Sequence, residues 1–191
     1  NKKSAVYSVK ALELAKETAN TEDLIQSYLS IASTYESSDE VETAIVYHKK
    51  ALALIEQIGD PARIAAELES LSKDERKLGL YGPALENAKR ALQIQENLKN
   101  DHRVARLLLE ISSTYRKLSS YDTALEYSVR ALKIYERDDD LNGIASASNE
   151  LGLLHSRLRQ YDDAAKYYNK TLILSLEEID RKYRAAAYRG I

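Results

Sequence analysis

Apolar residues recur along this chain at two periods. The short period is helical: Val104, Leu107, Leu108 and Ile111 stand three and four positions apart, on one face of an α-helix. The long period is 40 residues. Ala11-Leu12 returns as Ala51-Leu52, Ala91-Leu92 and Ala131-Leu132, and again as Thr171-Leu172, with no insertion or deletion. Parallel columns share the period. One runs Leu14, Leu54, Ile94, Ile134, Leu174, and another Ile31, Leu71, Ile111, Leu151, Ile191. A third is all alanine, at 44, 84, 124 and 164, and a fourth is Val41, Tyr81, Tyr121, Tyr161. Self-similarity at a fixed spacing marks an array of small supersecondary units.

Each unit predicts two helices. A polar column, Asn20, Asp60, Asn100, Asp140 and Asp180, supplies side-chain oxygens that accept from unpaired first-turn N–H groups. Pro61 follows Asp60 at the first helical position, where a missing N–H costs least. The first helix of each unit, helix A, is therefore expected at 21–36, 61–77, 101–117 and 141–157. The second, helix B, is expected to start near 40, 82, 122 and 162. Asp122 and Asp162 are its expected caps, and Gly82-Pro83 opens it in the second unit. Helices joined by a short turn pack antiparallel, and alanines at the crossing let the backbones approach. One hairpin leaves an apolar face uncovered, so successive hairpins stack into an all-α solenoid.

The expected organisation is one array over 1–191. Residues 1–20 read as the trailing helix B of a preceding repeat. Full repeats follow at 21–60, 61–100, 101–140 and 141–180, and 181–191 reads as a truncated helix A. Register sets residue 1 against 41 and residue 191 against 151, so the chain reads as cut from a longer array.

Composition narrows the function classes. The net charge is −2, which argues against a general nucleic-acid binder. No apolar run approaches the ~18 residues of a membrane-spanning helix, so no direct membrane insertion is expected. With Cys 0 there is no disulfide framework and no thiolate metal site, and either cytoplasm or periplasm suits such a chain. Only 2 Pro and 6 Gly interrupt the helices.

Catalytic constellations are missing from the pattern. His48 and His155 lie in core columns and His102 near a helix start. None has a second ligand at i+3 or i+4, so no metal site is expected. Gly79 and Gly82 frame a turn with no phosphate-loop Lys after them. Asp138-Asp139-Asp140-Leu141-Asn142-Gly143 begins like a calcium loop, but its twelfth place holds Asn149 where a bidentate Glu is needed. The segment reads as an acidic turn with Asp140 as a helix cap. No enzyme activity and no cofactor are expected. Glu75 is the odd residue, in the column of Tyr35 and Tyr115, where a carboxylate needs a partner or partial exposure. The second repeat is expected to pack less tightly for that reason.

Two repeats carry a family pattern. The fourth has Leu151-Gly152, His155 in an aromatic place, Tyr161, Ala164, Tyr168 and Thr171-Leu172. The third has Ile111-Ser112, Tyr115, Tyr121, Ala124, Ser128 and Ala131-Leu132. These columns resemble the tetratricopeptide repeat family. The unit is longer than the usual length of about 34 residues, as in the extended variety of bacterial signalling proteins and kinesin light chains. The resemblance implies a right-handed superhelical solenoid of antiparallel hairpins, whose concave groove is lined mostly by helix A.

Carried over by register, the groove holds Lys73, Arg76, Lys77, Arg106, Arg116, Lys117, Asn149 and Arg157. It implies a non-enzymatic scaffold for a protein or peptide, acidic by charge complementarity, serving as the sensory or regulatory part of a signalling protein. Two alternatives stand beside it: a sensor of a small ligand or signalling peptide, and a structural segment that self-associates through exposed terminal repeats. Lys73, Arg76, Lys77, Arg116 and Lys117 also occupy the last turns of helices A, where cations complement the helix dipole. The charge therefore has two readings. The family's carboxylate clamp for chaperone tails is not matched, because its places hold Leu29, Ser33, Glu69, Lys73, Leu109 and Ser113.

Overall fold

A left-handed residue stands at every twentieth position from 39 to 159. In the computed structural model Asp39, Gly59, Gly79, Lys99, Ser119, Asp139 and Arg159 all have φ between 50° and 78°. At six of these turns the next residue's N–H donates to the carbonyl five positions back: Glu40 to Tyr35, Leu80 to Glu75, Asn100 to Gln95, Ser120 to Tyr115, Asp140 to Tyr135 and Gln160 to His155. The left-handed residue itself donates three positions back, as Asp39 does to Glu36. This is the Schellman closure, which satisfies carbonyls that a helix end leaves without partners. Gly59 instead makes the single bond to Ile55.

The structure describes residues 12–17, 20–176 and 188–189. Between the turns run α1 (Thr21–Ser37), α2 (Val41–Ile58), α3 (Pro61–Lys77), α4 (Tyr81–Asn97), α5 (Asp101–Lys117), α6 (Tyr121–Arg137), α7 (Leu141–Arg157) and α8 (Tyr161–Leu176). No strand occurs among the described residues. Residues 12–17 are helical; residues 1–11 and 18–19 of the expected helix lie outside the described residues, as do Asp180 and all of 181–191 except 188–189.

The capping chemistry is as the polar column implies. The Asn20 side chain accepts from the N–H groups of Glu22 and Asp23, Asp60 from Ala62 and Arg63, Asn100 from Arg103, and Asp140 from Gly143. Helix B differs from expectation. It starts at the aromatic column, one residue before Asp122 and Asp162, and Ser120 caps α6 without a side-chain bond. Asp122 and Asp162 sit in the first turn instead, where a negative charge faces the positive end of the helix dipole.

The chain divides into two compact units, 1–94 and 95–191. In the first, Ile25 of α1 meets Ala51 and Ile55 of α2, with Tyr28, Leu29, Leu54 and Ile64 around them. Ser72 Oγ of α3 donates to the Ala84 carbonyl at 2.9 Å, which ties α3 to α4 at an alanine of the crossing column. In the second, Ser112 Oγ of α5 makes the equivalent bond to Ala124 at 2.8 Å and also pairs with Ser128 Oγ at 2.7 Å. Forty residues on, Gly152 and Tyr168 replace Ser112 and Ser128. The Tyr168 ring fills the space that the absent side chain leaves.

All four column alanines, 44, 84, 124 and 164, are buried. The column that opens helix B is not uniform: Val41 is buried, Tyr81 and Tyr121 are half-buried, and Tyr161 is 65% exposed. Cations of helix B reach the end of the preceding helix B. Arg90 pairs with Glu56 in the first unit, and Arg130 with Glu96 and Lys170 with Glu136 in the second. The repeat makes this a ladder of 34-residue steps, each an exposed pair worth little alone.

Candidate functional site

The end of α3 concentrates charge. Its last turns read Ser72-Lys73-Asp74-Glu75-Arg76-Lys77, and helical spacing sends these side chains to opposite faces. Asp74 and Glu75 point inward and are buried, while Lys73 and Lys77 are exposed. The two ammonium groups converge on one carboxylate of α1: Lys73 Nζ lies 3.3 Å and Lys77 Nζ 4.0 Å from Glu36 Oε1. Lys77 also donates to Asp74 Oδ1 at 3.1 Å. Burial works against the Glu36 carboxylate, but the Lys73 bond and the fields of Lys73 and His48 outweigh it and hold its pKa below the ordinary value. Arg76, half-buried, stands between the two lysines in sequence.

Beneath these cations lies a polar interior that the sequence pattern did not reveal. His48 of α2 is buried, with Nδ1 2.6 Å from Glu67 Oε1 and Nε2 3.7 Å from Asp74 Oδ2. Burial opposes the imidazolium, yet the bond to Glu67 and the charges of Glu67, Asp74 and Glu36 together raise its pKa. Burial also raises the Asp74 pKa, with Glu36 acting in the same sense and Lys77 and His48 against it. Glu75 is 1% exposed, accepts from Asn87 Nδ2 of α4 at 2.8 Å and has Lys49 Nζ at 3.7 Å. The partner that a buried carboxylate requires is therefore present. Only the spacing within each helix was legible beforehand, and these groups come from four helices.

In the second unit the expected groove residues have different fates. Arg116 is engaged: its Nε donates to Glu150 Oε1 of α7 at 2.7 Å, and its Nη2 to Ser113 Oγ at 3.4 Å. Glu150 is buried, so the guanidinium offsets a charge that would otherwise lack compensation. Arg116 and Arg157 both act on Tyr168. Burial, then Glu150, raise the pKa of its hydroxyl, and the two arginines oppose them. Arg106, Lys117 and Arg157 are exposed. The Asn149 Oδ1 is buried and has no hydrogen-bond partner among the described residues. Arg76 and Lys77, and Arg116 and Lys117, lie in the last turns of their helices, so the dipole reading of the charge stays physically valid.

The acidic turn is a turn. Asp139 takes the left-handed position and Asp140 caps α7. Asp138 pairs with Arg137 Nε at 2.8 Å, which holds its pKa below the usual carboxylate range. No helix of the described residues is long and apolar enough to cross a membrane.

Helix hairpins of one length, closed by one kind of turn, define an all-α repeat solenoid. Profiles of the tetratricopeptide repeat match residues 27–62, 63–137 and 103–174, and the chain belongs to the tetratricopeptide repeat family. Proteins of this class are interaction scaffolds rather than catalysts as a rule, and they bind peptides or proteins. No curated protein matches the sequence.

Solved structures share the fold at low identity. BtubC from P. vanneervenii is 18% identical, with a TM-score of 0.78 over 99% of this chain and 83% of that one. The apo form of RapI is 17% identical, with a TM-score of 0.87 over 96% of this chain and 51% of RapI. A signal transduction ATPase with numerous domains from Pyrococcus horikoshii, which carries a tetratricopeptide repeat sensor, is 23% identical, with a TM-score of 0.80 over 93% of this chain and 28% of that one. The chain thus spans about half of RapI and little more than a quarter of the ATPase.

Proposed function

We propose that this chain is a non-enzymatic binding array, with full repeats at 21–60, 61–100, 101–140 and 141–180, that holds an acidic segment of a partner protein as part of a signalling system. The observation that carries this is the pair of ammonium groups of Lys73 and Lys77 on one carboxylate, that of Glu36. The surface already binds a carboxylate of its own, and Lys73 and Lys77 stay exposed enough to turn to an incoming one. Arg76 extends the same patch. In the second repeat pair, Arg106, Lys117, Arg157 and Asn149 are the corresponding candidates, whereas Arg116 serves Glu150. The regulatory role rests on kinship in fold with the Pyrococcus horikoshii signal transduction ATPase, which carries a tetratricopeptide repeat sensor.

The test is capture of partners from the host lysate by wild type and by a Lys73→Glu, Arg76→Glu, Lys77→Glu variant, both checked by circular dichroism. Captured proteins are identified, and synthetic peptides covering their acidic segments are titrated. The proposal expects binding to wild type that weakens with salt and is lost in the variant. Equal binding to both, or no peptide binding to either, assigns the charge to the helix ends alone.

A further inference from the structure

We infer that Glu36, His48 and Asp74 form a binding site for one divalent transition-metal cation, with His48 Nε2 as its nitrogen ligand. One ligand atom from each lies within 4.8 Å of the other two. In a tetrahedral site with metal–ligand bonds of about 2.1 Å, ligand atoms stand roughly 3.4 Å apart. The His48 Nε2 to Asp74 Oδ2 separation of 3.7 Å is already close to that.

Three further observations point to a ligand rather than to a closed ion-pair cluster. First, His48 Nε2 and Asp74 Oδ2 are both buried, and neither has a hydrogen-bond partner among the described residues. Two facing unpaired groups in the interior are costly, and a cation between them would satisfy both. Second, Glu67 Oε1 is 2.6 Å from Nδ1. With Nδ1 held to Glu67 as donor, Nε2 is the ring nitrogen that faces Asp74, and an incoming cation takes the place of any proton there. A carboxylate behind a histidine is how metal-binding imidazoles are commonly oriented. Third, the lysines leave a route open. Lys77 holds Asp74 through Oδ1 and Lys73 holds Glu36 through Oε1, so Oδ2 is not taken. Both lysine side chains are more than two-fifths exposed and can swing into solvent.

The donor set defines the ion class. One imidazole with two carboxylates suits Zn²⁺, Co²⁺ or Ni²⁺ better than Mg²⁺ or Ca²⁺, which take oxygen ligands. Two carboxylates neutralise the dication, and the fourth place falls to water. The ligands come from α1, α2 and α3, so the ion joins three helices. No local motif announces it, because the partners of His48 lie 12 positions before and 26 after it.

The experiment uses untagged, chelator-treated protein. Zn²⁺ is titrated by calorimetry, and Co²⁺ by its visible absorption. The expected result is one Zn²⁺ per chain, weakened at least about tenfold in His48→Gln and in Glu36→Gln. Binding stays unchanged in His102→Gln, which alters an exposed histidine beside Asp140. Mg²⁺ and Ca²⁺ should bind far more weakly. If His48→Gln does not fold by circular dichroism, Glu36→Gln at the half-exposed edge decides. Absence of saturable Zn²⁺ binding, or binding that the folded site variants retain, overturns the inference.

Discussion

Asn87 donates to Glu75 at 2.8 Å in the slot where the neighbouring repeats stack two rings. Forty residues earlier the same positions hold Tyr35 over Tyr47, with centroids 5.9 Å apart. Forty later they hold Tyr115 over Tyr127 at 5.6 Å, and then His155 over Tyr167 at 5.3 Å. The second repeat changes both partners together and exchanges a ring stack for a hydrogen bond. Asn87→Ala leaves the buried carboxylate with Lys49 alone and should cost about 1–3 kcal/mol. Replacing both residues with alanine should cost less than the two single losses added, as a double-mutant cycle in urea would show. With its partner in place, α3 should resist hydrogen exchange as well as α5 does, so the expected looseness of the second repeat should be absent.

Gly152 is required by Tyr168. A Cβ on residue 152 would stand 2.6 Å from Tyr168 Cε1. The ring is buried and clusters with Ala164, with Leu153 and Leu172 packed against them, so moving it aside would disturb that packing. Gly152→Ala should destabilise the second unit by about 1–3 kcal/mol despite its better helix propensity. Adding Tyr168→Leu should recover part of the loss in thermal unfolding, since it removes the clash.

The turns give a prediction of opposite sign at two equivalent places. Arg159 has φ 60° and Gly79 has φ 74°. A side chain strains the left-handed region and glycine does not. Arg159→Gly should therefore stabilise by about 0.5–1 kcal/mol. Gly79→Ala should destabilise by about 1 kcal/mol, although a Cβ there meets nothing within 4 Å. Melting temperatures of the two variants should move in opposite directions.

Glu22 gives a pH signature. Arg63 grips both of its oxygens, at 2.7 Å and 3.0 Å, and Gln26 donates to it as well. These bonds hold its carboxyl below the ordinary glutamate value. A carboxylate with a lowered folded-state pKa stabilises above its unfolded pKa, and that stabilisation is lost as pH falls through the folded value. A carboxyl-detected NMR titration should place the Glu22 midpoint below those of exposed glutamates, and Arg63→Ala should return most of the difference.

The sequence alone determined what depends on local chemistry and period. Asn20, Asp60, Asn100 and Asp140 cap helices because a cap needs only its own first turn. The column alanines are buried because a 40-residue repeat returns each to the same crossing. The start of helix B escaped by one residue, because Asp122 and Asp162 serve a helix start equally well as caps or as first-turn charges. The charged patch was visible as a list of cations. Only tertiary structure decided which are engaged, since Arg116 lies 34 residues from Glu150 and Lys73 37 from Glu36. The set of Glu36, His48, Glu67 and Asp74 was illegible for the same reason. Helical spacing orders the residues of one helix, but it says nothing of which atoms three helices bring within 4.8 Å of each other.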